Sequence, residues 1–338
     1  LEKRFGRITD PMDYEGLTSH LHTPPHLAGN ASYGANWDDD ATFAWQRLAG
    51  PNPMSLERPD DAGFATIQAK LQLTDAHVQN VLGDTTATVD GARRAGLLSL
   101  TDYWMLNTPG PLPCSVKDGR QTSLPAPVGA FVWHPTRKVL LPAAIRLGQD
   151  ATAPLATPST DGSWAVAKAM YSVADFHYHE MVVHLMGVHF LQEGIAVATH
   201  RSLPPQHPVY ALLVPHLRYL LFNNFAGREF LVEEHGYVDK IMSADLVHGS
   251  LELVKRGYTH FHFDHLDVPL AIGKRGMMSQ TGLPDFPYRD DALLIWAAID
   301  TWTRSYIAAY YRDDAAVAND TELHRWCTEM VGQDGARL

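Results

Sequence analysis

The residues best suited to chemistry in this sequence are histidines. The segment Asp175-Phe-His-Tyr-His-Glu-Met-Val-Val-His-Leu-Met-Gly-Val-His189 carries four of them, His177, His179, His184 and His189, and the last three are spaced by five. Each residue of an ideal α-helix advances by ~100°, so five residues end about 140° beyond a full turn and the two rings share no face. Metal ligands on a straight helix use a spacing of four for this reason. A spacing of five converges only where the helix widens into a π turn with i→i+5 bonding, a rare feature associated with function. Gly187, inside the second interval, would ease such a distortion. The plain alternative is a set of polar side chains on a long helix, some exposed and some hydrogen-bonded in the core. Burying this many imidazoles without partners would cost about 1–3 kcal/mol each, and a shared ion is an economical partner. Imidazoles with no thiolate nearby suit iron, zinc, copper or nickel.

The element carrying these rings must be long and apolar. Trp164 to Gln192 contains no Pro and only Gly187 as glycine, and Val166, Met170, Val173, Ala174, Met181, Leu185 and Val188 recur at helical spacing. Asp161 and Ser163 are candidate N-caps. A second helix is expected from Pro208 to about Glu234, with Gly236 as its C-cap. Further helices are expected over 242–256, 290–312 and 320–331, with Asp290 and Asp291 in the first turn of one and Asp320 capping the last. Upstream, Leu97 to Tyr103 suits a strand, and Ala130 to Trp133, His134 to Arg137 and Lys138 to Leu147 read as strand, Pro-containing turn and strand. Residues 1–62, rich in turn chemistry such as His22-Thr-Pro-Pro25 and Asn30 to Asp40, read as an irregular wrap. Residues 63–150 read as a mixed α/β part, 151–162 as a loop, and the remainder as helical. The fold class expected is mainly α with a small β subdomain.

Composition narrows the functional classes. The 338 residues are 45% hydrophobic and 19% charged, enough apolar material for a large core and incompatible with wholesale disorder. A net charge of −11 argues against a nucleic-acid partner. Cys114 and Cys327 lie over two hundred residues apart, neither a disulfide framework nor a zinc spacing. Val209 to Phe222 is apolar but interrupted by His216 and Arg218, so neither a transmembrane segment nor a membrane anchor is expected. No apolar stretch follows Leu1, so no signal peptide is expected and the compartment stays open. Two further histidine groups need weighing. His260, His262 and Asp264 would share one face of a strand and form a two-histidine, one-carboxylate set, with a polar surface strand as the plain reading. His200, His207 and His216 are expected to hydrogen-bond within the core.

At the histidine run the chain resembles a lipoxygenase. The resemblance is carried by His179-x4-His184-x4-His189, then Glu193-Gly-Ile-Ala-Val-Ala-Thr-His-Arg201, Leu203, His207-Pro-Val-Tyr210 and Leu212-Leu-Val-Pro-His216. Ala49-Gly-Pro-Asn-Pro-Met54, Trp164-Ala-Val-Ala-Lys168, Lys274-Arg-Gly-Met277, Tyr288-Arg-Asp-Asp-Ala-Leu293 and Asn319-Asp-Thr-Glu-Leu323 extend it over residues 36 to 331. It implies a helical catalytic domain in which His184 and His189 ligate a non-haem iron, with manganese a chemically reasonable substitute. It implies dioxygenation of a polyunsaturated fatty acid: a ferric hydroxide takes a bis-allylic hydrogen, and O2 adds to the opposite face to give a hydroperoxide. Leu185, Phe190 and Val238 match positions that shape an acyl channel, and His179 and Glu180 would stand behind the ligands, Glu180 orienting an imidazole. Glu234 falls where the family carries the Ala or Gly that helps to set where oxygen enters. Either the register there is off by a residue or two, or the substrate differs. The family completes its iron site with a later histidine, a residue four further on and a C-terminal Ile carboxylate, in segments with no counterpart here. The resemblance therefore implies a catalytic domain incomplete at its C-terminal side, with a second chain or segment supplying the rest. It also implies no N-terminal β-barrel domain within these residues. A non-catalytic relative that binds lipid or a partner is the alternative.

Overall fold

The computed structural model describes residues 37–159 and 161–332; the turn-rich stretch from His22 to Asn36 lies outside them. Helix α1 (Asp40–Ala49) opens the described part, capped by Asp39 through the Thr42 amide at 2.8 Å. The irregular wrap expected up to residue 62 is thus interrupted by a regular helix with Phe43, Ala44, Arg47 and Leu48 buried. Three short helices follow, α2 (Asp61–Leu71), α3 (Asp75–Leu82) and α4 (Val89–Arg94).

The sheet that comes next has the three strands read from the sequence and a fourth, short one inside the stretch 151–162 expected as a loop. Strand β1 (Leu98–Asp102) pairs antiparallel with β2 (Val128–His134), β2 with β3 (Val139–Arg146), and β3 with the short β4 (Leu155–Ala156). The β2–β3 turn places Lys138 at φ +54°, its amide bonded to the His134 carbonyl at 2.8 Å. Alternation of side chains across the pleat gives the sheet two apolar faces. Val128, Ala130, Val132 and Ala144 pack with Ile67, Leu71 and Val78 of α2 and α3. Phe131, Trp133, Leu140 and Ile145 face the other way, onto α1 and the long helix.

That helix runs unbroken from Ser163 to Ser202 in three registers: α5 (Ser163–Tyr178), a π-helical stretch His179–Phe190, and α6 (Leu191–Ser202). Its N-cap position is taken by Gly162 (φ +82°) rather than by Asp161 or Ser163, while Asp161 just before it accepts from Ser163 N at 3.0 Å. Ala174, Met181 and Leu185 are buried as their periodicity predicts, whereas Val166 and Val188 are exposed. By length and apolar composition alone this helix could cross a membrane. Its Trp164, Tyr171 and Met181 instead fill the main core, and its Asp175 is buried in an ion pair with Arg47.

The second helix departs from expectation. It breaks into α7 (Pro208–Leu213), a 3-10 turn Val214–Leu217 and α8 (Leu220–Phe230). Pro215 cannot donate the helical bond and clashes with the turn before it, and Tyr219 takes a left-handed conformation (φ +65°) at the kink. Gly236 is not a C-cap but precedes α9 (Tyr237–Ile241). A second π turn, Leu246–Ser250, leads into α10 (Leu251–Thr259). Gly257 allows α10 to lie against the first π stretch, because a Cβ there would sit 3.2 Å from both Met186 Cε and Val182 Cγ1. Then come α11 (Val268–Lys274), α12 (Pro287–Tyr310), α13 (Asp314–Ala318) and α14 (Thr321–Val331), the last capped by Asp320 as expected. Trp326 of α14 donates to Thr199 of α6 at 3.1 Å, and Arg201 pairs with Glu329 at 2.8 Å.

Candidate metal centre

The π register resolves the spacing problem. With i→i+5 bonding the histidines fall into line along the helix, and His184 Nε2 and His189 Nε2 stand 3.1 Å apart. Each ring is held from behind. His184 Nδ1 lies 3.0 Å from Glu180 Oε2, one turn earlier on the same helix. His189 Nδ1 lies 2.9 Å from Asn224 Oδ1 on α8. Both partners are acceptors, so each ring carries a proton on Nδ1, which in the neutral ring leaves the Nε2 lone pair on the side of the other ring. Two such lone pairs repel unless a cation lies between them. Imidazoles bound at about 2.0–2.1 Å to one ion hold their nitrogens about 3 Å apart at right angles and somewhat further at the tetrahedral angle. The pair thus fits a metal in distance, tautomer and support.

The side chain of His184 remains 39% exposed, leaving an open side for further ligands. His179 lies parallel to His184 with ring centroids 6.3 Å apart, and its buried Nδ1 has no hydrogen-bond partner among the described residues. It does not supply a third nitrogen to the pair. Gly187 lies within the π turn, but a Cβ there would meet only the Val182 carbonyl at an ordinary 3.4 Å, so the turn does not require glycine.

The other histidines have other duties. The strand expected at His260–Asp264 is absent: the chain turns through a 3-10 helix, Phe263–Leu266, and Asp264 pairs with Lys274, while His260 Nδ1 donates to Arg256 O at 2.9 Å. The two-histidine, one-carboxylate face does not form. Among the described residues, only His207, Asp320 and Glu322 bring three possible donor atoms within 4.8 Å of one another. Their hydrogen bonds speak against a metal. His207 Nδ1 accepts from Val209 N at 3.1 Å, so its proton is on Nε2 and donated to Asp320 Oδ2 at 3.0 Å. Asp320 Oδ1 caps α14, and Oδ2 also accepts from Tyr311 OH at 2.5 Å. Burial alone would raise the Asp320 carboxyl, but the bonds from Tyr311, Leu323 N and His207 outweigh it and bring it down to about 2. This is a structural knot joining α7 to α14. His207 is buried as expected, whereas His200 and His216 are exposed. His177, missed as a tie, donates from Nδ1 to Val173 O and accepts Ser243 N at Nε2, both at 2.7 Å. Burial lowers its basicity.

Leu185 and Val238 are buried in the main apolar core and Phe190 packs against it partly buried, Leu185 and Phe190 standing on the π stretch itself. Glu234 does not join them. Its side chain is 87% exposed, 3.9 Å from His235. A cleft of about 490 Å³ opens against the π stretch, lined there by Val182, Val183, Met186 and Gly187 but by none of the spaced histidines.

Sequence reasoning did not single out Asn224. The sequence offers two adjacent amides, Asn223 and Asn224, after Leu220-Leu-Phe222, and only the second proves buried. It donates from Nδ2 to His189 O at 3.0 Å and to Glu193 Oε2 at 2.8 Å. Arg228 grips Glu193 through both oxygens, at 2.8 and 3.2 Å. Burial works against the Glu193 charge, yet the bonds from Arg228 and Asn224 prevail and hold its carboxyl below the usual range.

A long central helix with a π-turned pair of converging imidazoles, flanked by a small antiparallel sheet, defines a mainly helical scaffold with a candidate metal centre. The lipoxygenase family model matches residues 15–336, and the chain belongs to the lipoxygenase family. It is 35% identical over 302 residues to the linoleate 9/13-lipoxygenase of Pseudomonas aeruginosa, covering 87% of this chain and 43% of that protein. It is equally 35% identical over 301 residues to the rat hydroperoxide isomerase ALOXE3, covering 88% of this chain and 40% of that protein. An anaerobic crystal structure of a lipoxygenase variant in complex with arachidonate superposes with a TM-score of 0.85 at 27% identity, over 98% of this chain and 48% of that one. The chain therefore spans less than half the length of these relatives.

Proposed function

We propose that this chain supplies the helical half of a non-haem iron centre that dioxygenates polyunsaturated fatty acids of the linoleate or arachidonate type. The observation that carries the reading is the convergence of His184 Nε2 and His189 Nε2 at 3.1 Å with both Nδ1 protons anchored. The linoleate lipoxygenase of Pseudomonas aeruginosa and the arachidonate bound in the crystal structure of a related lipoxygenase support the substrate class. Iron held there would supply the one-electron chemistry needed to remove hydrogen from a bis-allylic carbon. The residues of this chain do the rest of what can be assigned. His184 and His189 hold the ion as neutral donors, Glu180 and Asn224 keep their rings from turning, and Leu185, Phe190 and Val238 offer an apolar wall for an acyl chain. The unit acts as one catalytic domain. A complementing segment or second chain, bringing the remaining ligands, covers its open side. Large apolar side chains on that scaffold stand exposed, among them Phe222, Phe225, Phe230, Tyr237, Leu294 and Trp302, more than a free surface usually leaves to water.

The test uses the full-length protein. Purified, it should contain about one iron per molecule, consume O2 with linoleate and form conjugated diene, and His189→Ala should lose both metal and activity. A fully iron-loaded protein giving no diene from linoleate or arachidonate would defeat the proposal. The equal likeness to a hydroperoxide isomerase favours one second reading, in which the same centre rearranges a fatty-acid hydroperoxide. Disappearance of added hydroperoxide without O2 uptake would mark that outcome.

A further inference from the structure

The two ligand rings are not supported alike. Behind His184 stands one carboxylate, Glu180, on the same helix at 3.0 Å. Behind His189 stands a chain of groups on a different element. His189 Nδ1 donates to Asn224 Oδ1 at 2.9 Å, Asn224 Nδ2 donates to both His189 O and Glu193 Oε2, and Arg228 holds Glu193 through two bonds. Asn224 is 2% exposed, so no water competes for its amide. Its orientation is forced. Reversed, its NH2 would face the His189 Nδ1 proton, and its oxygen would face a carbonyl and a carboxylate.

Three consequences follow from this wiring. The amide is neutral, so it fixes the ring plane and tautomer of His189 without the extra electron donation that a carboxylate gives through a hydrogen bond. The charge of Glu193 is one bond further out and is matched by Arg228, whose planar fork fits both oxygens. Finally, Asn224 takes the carbonyl of His189 where the π stretch reverts to α-helix at Phe190–Leu191, so one side chain holds the ligand's ring and its backbone together.

We propose that Asn224, locked by Glu193 and Arg228, is the positioning residue of His189, and that through it the placement of α8 sets the geometry of the metal centre. This rests on the reading of His184 and His189 as ligands. The probe is Co(II), titrated into the metal-free full-length protein and followed by its visible absorption, with unfolding of the metal-free protein measured in parallel. Asn224→Leu should weaken Co(II) binding 10–100-fold, the usual effect of losing a partner behind a ligand, and should change the absorption envelope. Arg228→Ala should act in the same direction by less. Arg228→Lys should restore part of the loss, since an ammonium still meets Glu193 but at one point. Asn224→Asp keeps an acceptor for His189 but opposes Glu193, and should weaken binding even where the fold tolerates the change. If Asn224→Leu proves unstable, the Arg228 pair decides the matter. Affinities within twofold of wild type and unchanged spectra in the Asn224 and Arg228 variants would overturn this inference while leaving the metal site intact. Failure of the wild type to bind Co(II) would overturn both.

Discussion

Replacing Arg47 by Met should destabilise the protein by about 3 kcal/mol. The Arg47 guanidinium lies between the rings of Phe43 and Tyr171, 5.1 Å from each centroid, with NH1 3.0 Å from Asp175 Oδ2. Both side chains are almost wholly buried, 2% and 5% exposed. Breaking one half of a buried ion pair typically costs about 3–5 kcal/mol, because the remaining charge is stranded. The lower end applies here for two reasons. The NH1 proton is not aimed at the carboxylate, so the contact is ionic without a well-directed hydrogen bond, and Arg47 Nε is itself unpaired. Asp175 Oδ1 also keeps two donors, Asn52 Nδ2 at 2.9 Å and Tyr103 OH at 2.5 Å. Urea unfolding should show a midpoint lower by about 1 M or somewhat less at unchanged slope, the slope being steep for a chain of this size. The double variant Arg47→Met, Asp175→Asn removes both charges while keeping an acceptor for Asn52 and Tyr103, and should recover part of the loss. A single variant within about 1 kcal/mol of wild type, or a double variant worse than the single, would refute the reasoning.

Glu180→Ala should weaken metal binding by about 10–100-fold, and Glu180→Gln by distinctly less, since an amide still accepts from His184 Nδ1 but without the charge that makes such bonds about twice as strong; chelator competition measures both, and equal losses would show that only bulk matters. Gly257→Leu should cost about 1–3 kcal/mol by driving a side chain into Met186 and Val182 across a 3.2 Å approach. Gly187→Ala should change stability by less than about 0.5 kcal/mol, a contrast read from parallel unfolding curves. Acidification should act through two groups of opposite charge type. The Asp320 carboxyl is depressed from 3.8 to about 2 in the folded protein, so its contribution is whole above about pH 4 and is lost as pH falls towards 2. The folded His177 is harder to protonate than the free side chain, so its contribution is whole above about pH 6.5 and declines below it. Melting temperatures against pH should therefore fall in two stages, with Asp320→Asn flattening only the more acidic one.

The legible parts of this molecule were those set by local pattern. The β2–β3 hairpin follows from alternating apolar residues around Pro135, and the cap at Asp320 from one carboxylate ahead of an amphipathic turn. The π stretch was legible for a different reason: only i→i+5 bonding reconciles a spacing of five with a common ligand, so the chemistry of the side chains reported on the backbone. Elements fixed by distant contacts were not legible. Nothing local marks Asn224 as the residue behind His189, because its role depends on α8 crossing the long helix. The break at Pro215 was legible in principle, since proline inside a helical run ends it, but the apolar run from Val209 to Phe222 masked it. The misplaced strand at His260–Asp264 has the same origin: alternation of polar and aromatic residues over six positions fits a strand, but also fits a turn whose rings pack on their neighbours, as His262 and His265 do at 5.4 Å.

The wide turn also explains why the protein needs support from α8 at all. In a straight helix two ligands four residues apart are aligned by the backbone itself. Across a π stretch the backbone gives the approach of the rings but less regular bonding to hold it, so the ring orientations depend on partners at Nδ1. One partner, Glu180, comes with the helix. The other, Asn224, arrives only when α8 docks, and α8 docks through Glu193 and Arg228. A metal site built this way is complete only when the tertiary fold is. Metal binding and the docking of α8 should therefore be thermodynamically linked: each stabilises the other by the same factor. Amide exchange in Leu220–Phe230 should slow when Co(II) binds the wild type and should not respond to it in Asn224→Leu, even at Co(II) concentrations that saturate the variant. Equal protection of α8 with and without metal would show that the helix is held by its packing alone, and that the histidine pair is as independent of its neighbours as a straight-helix site would be.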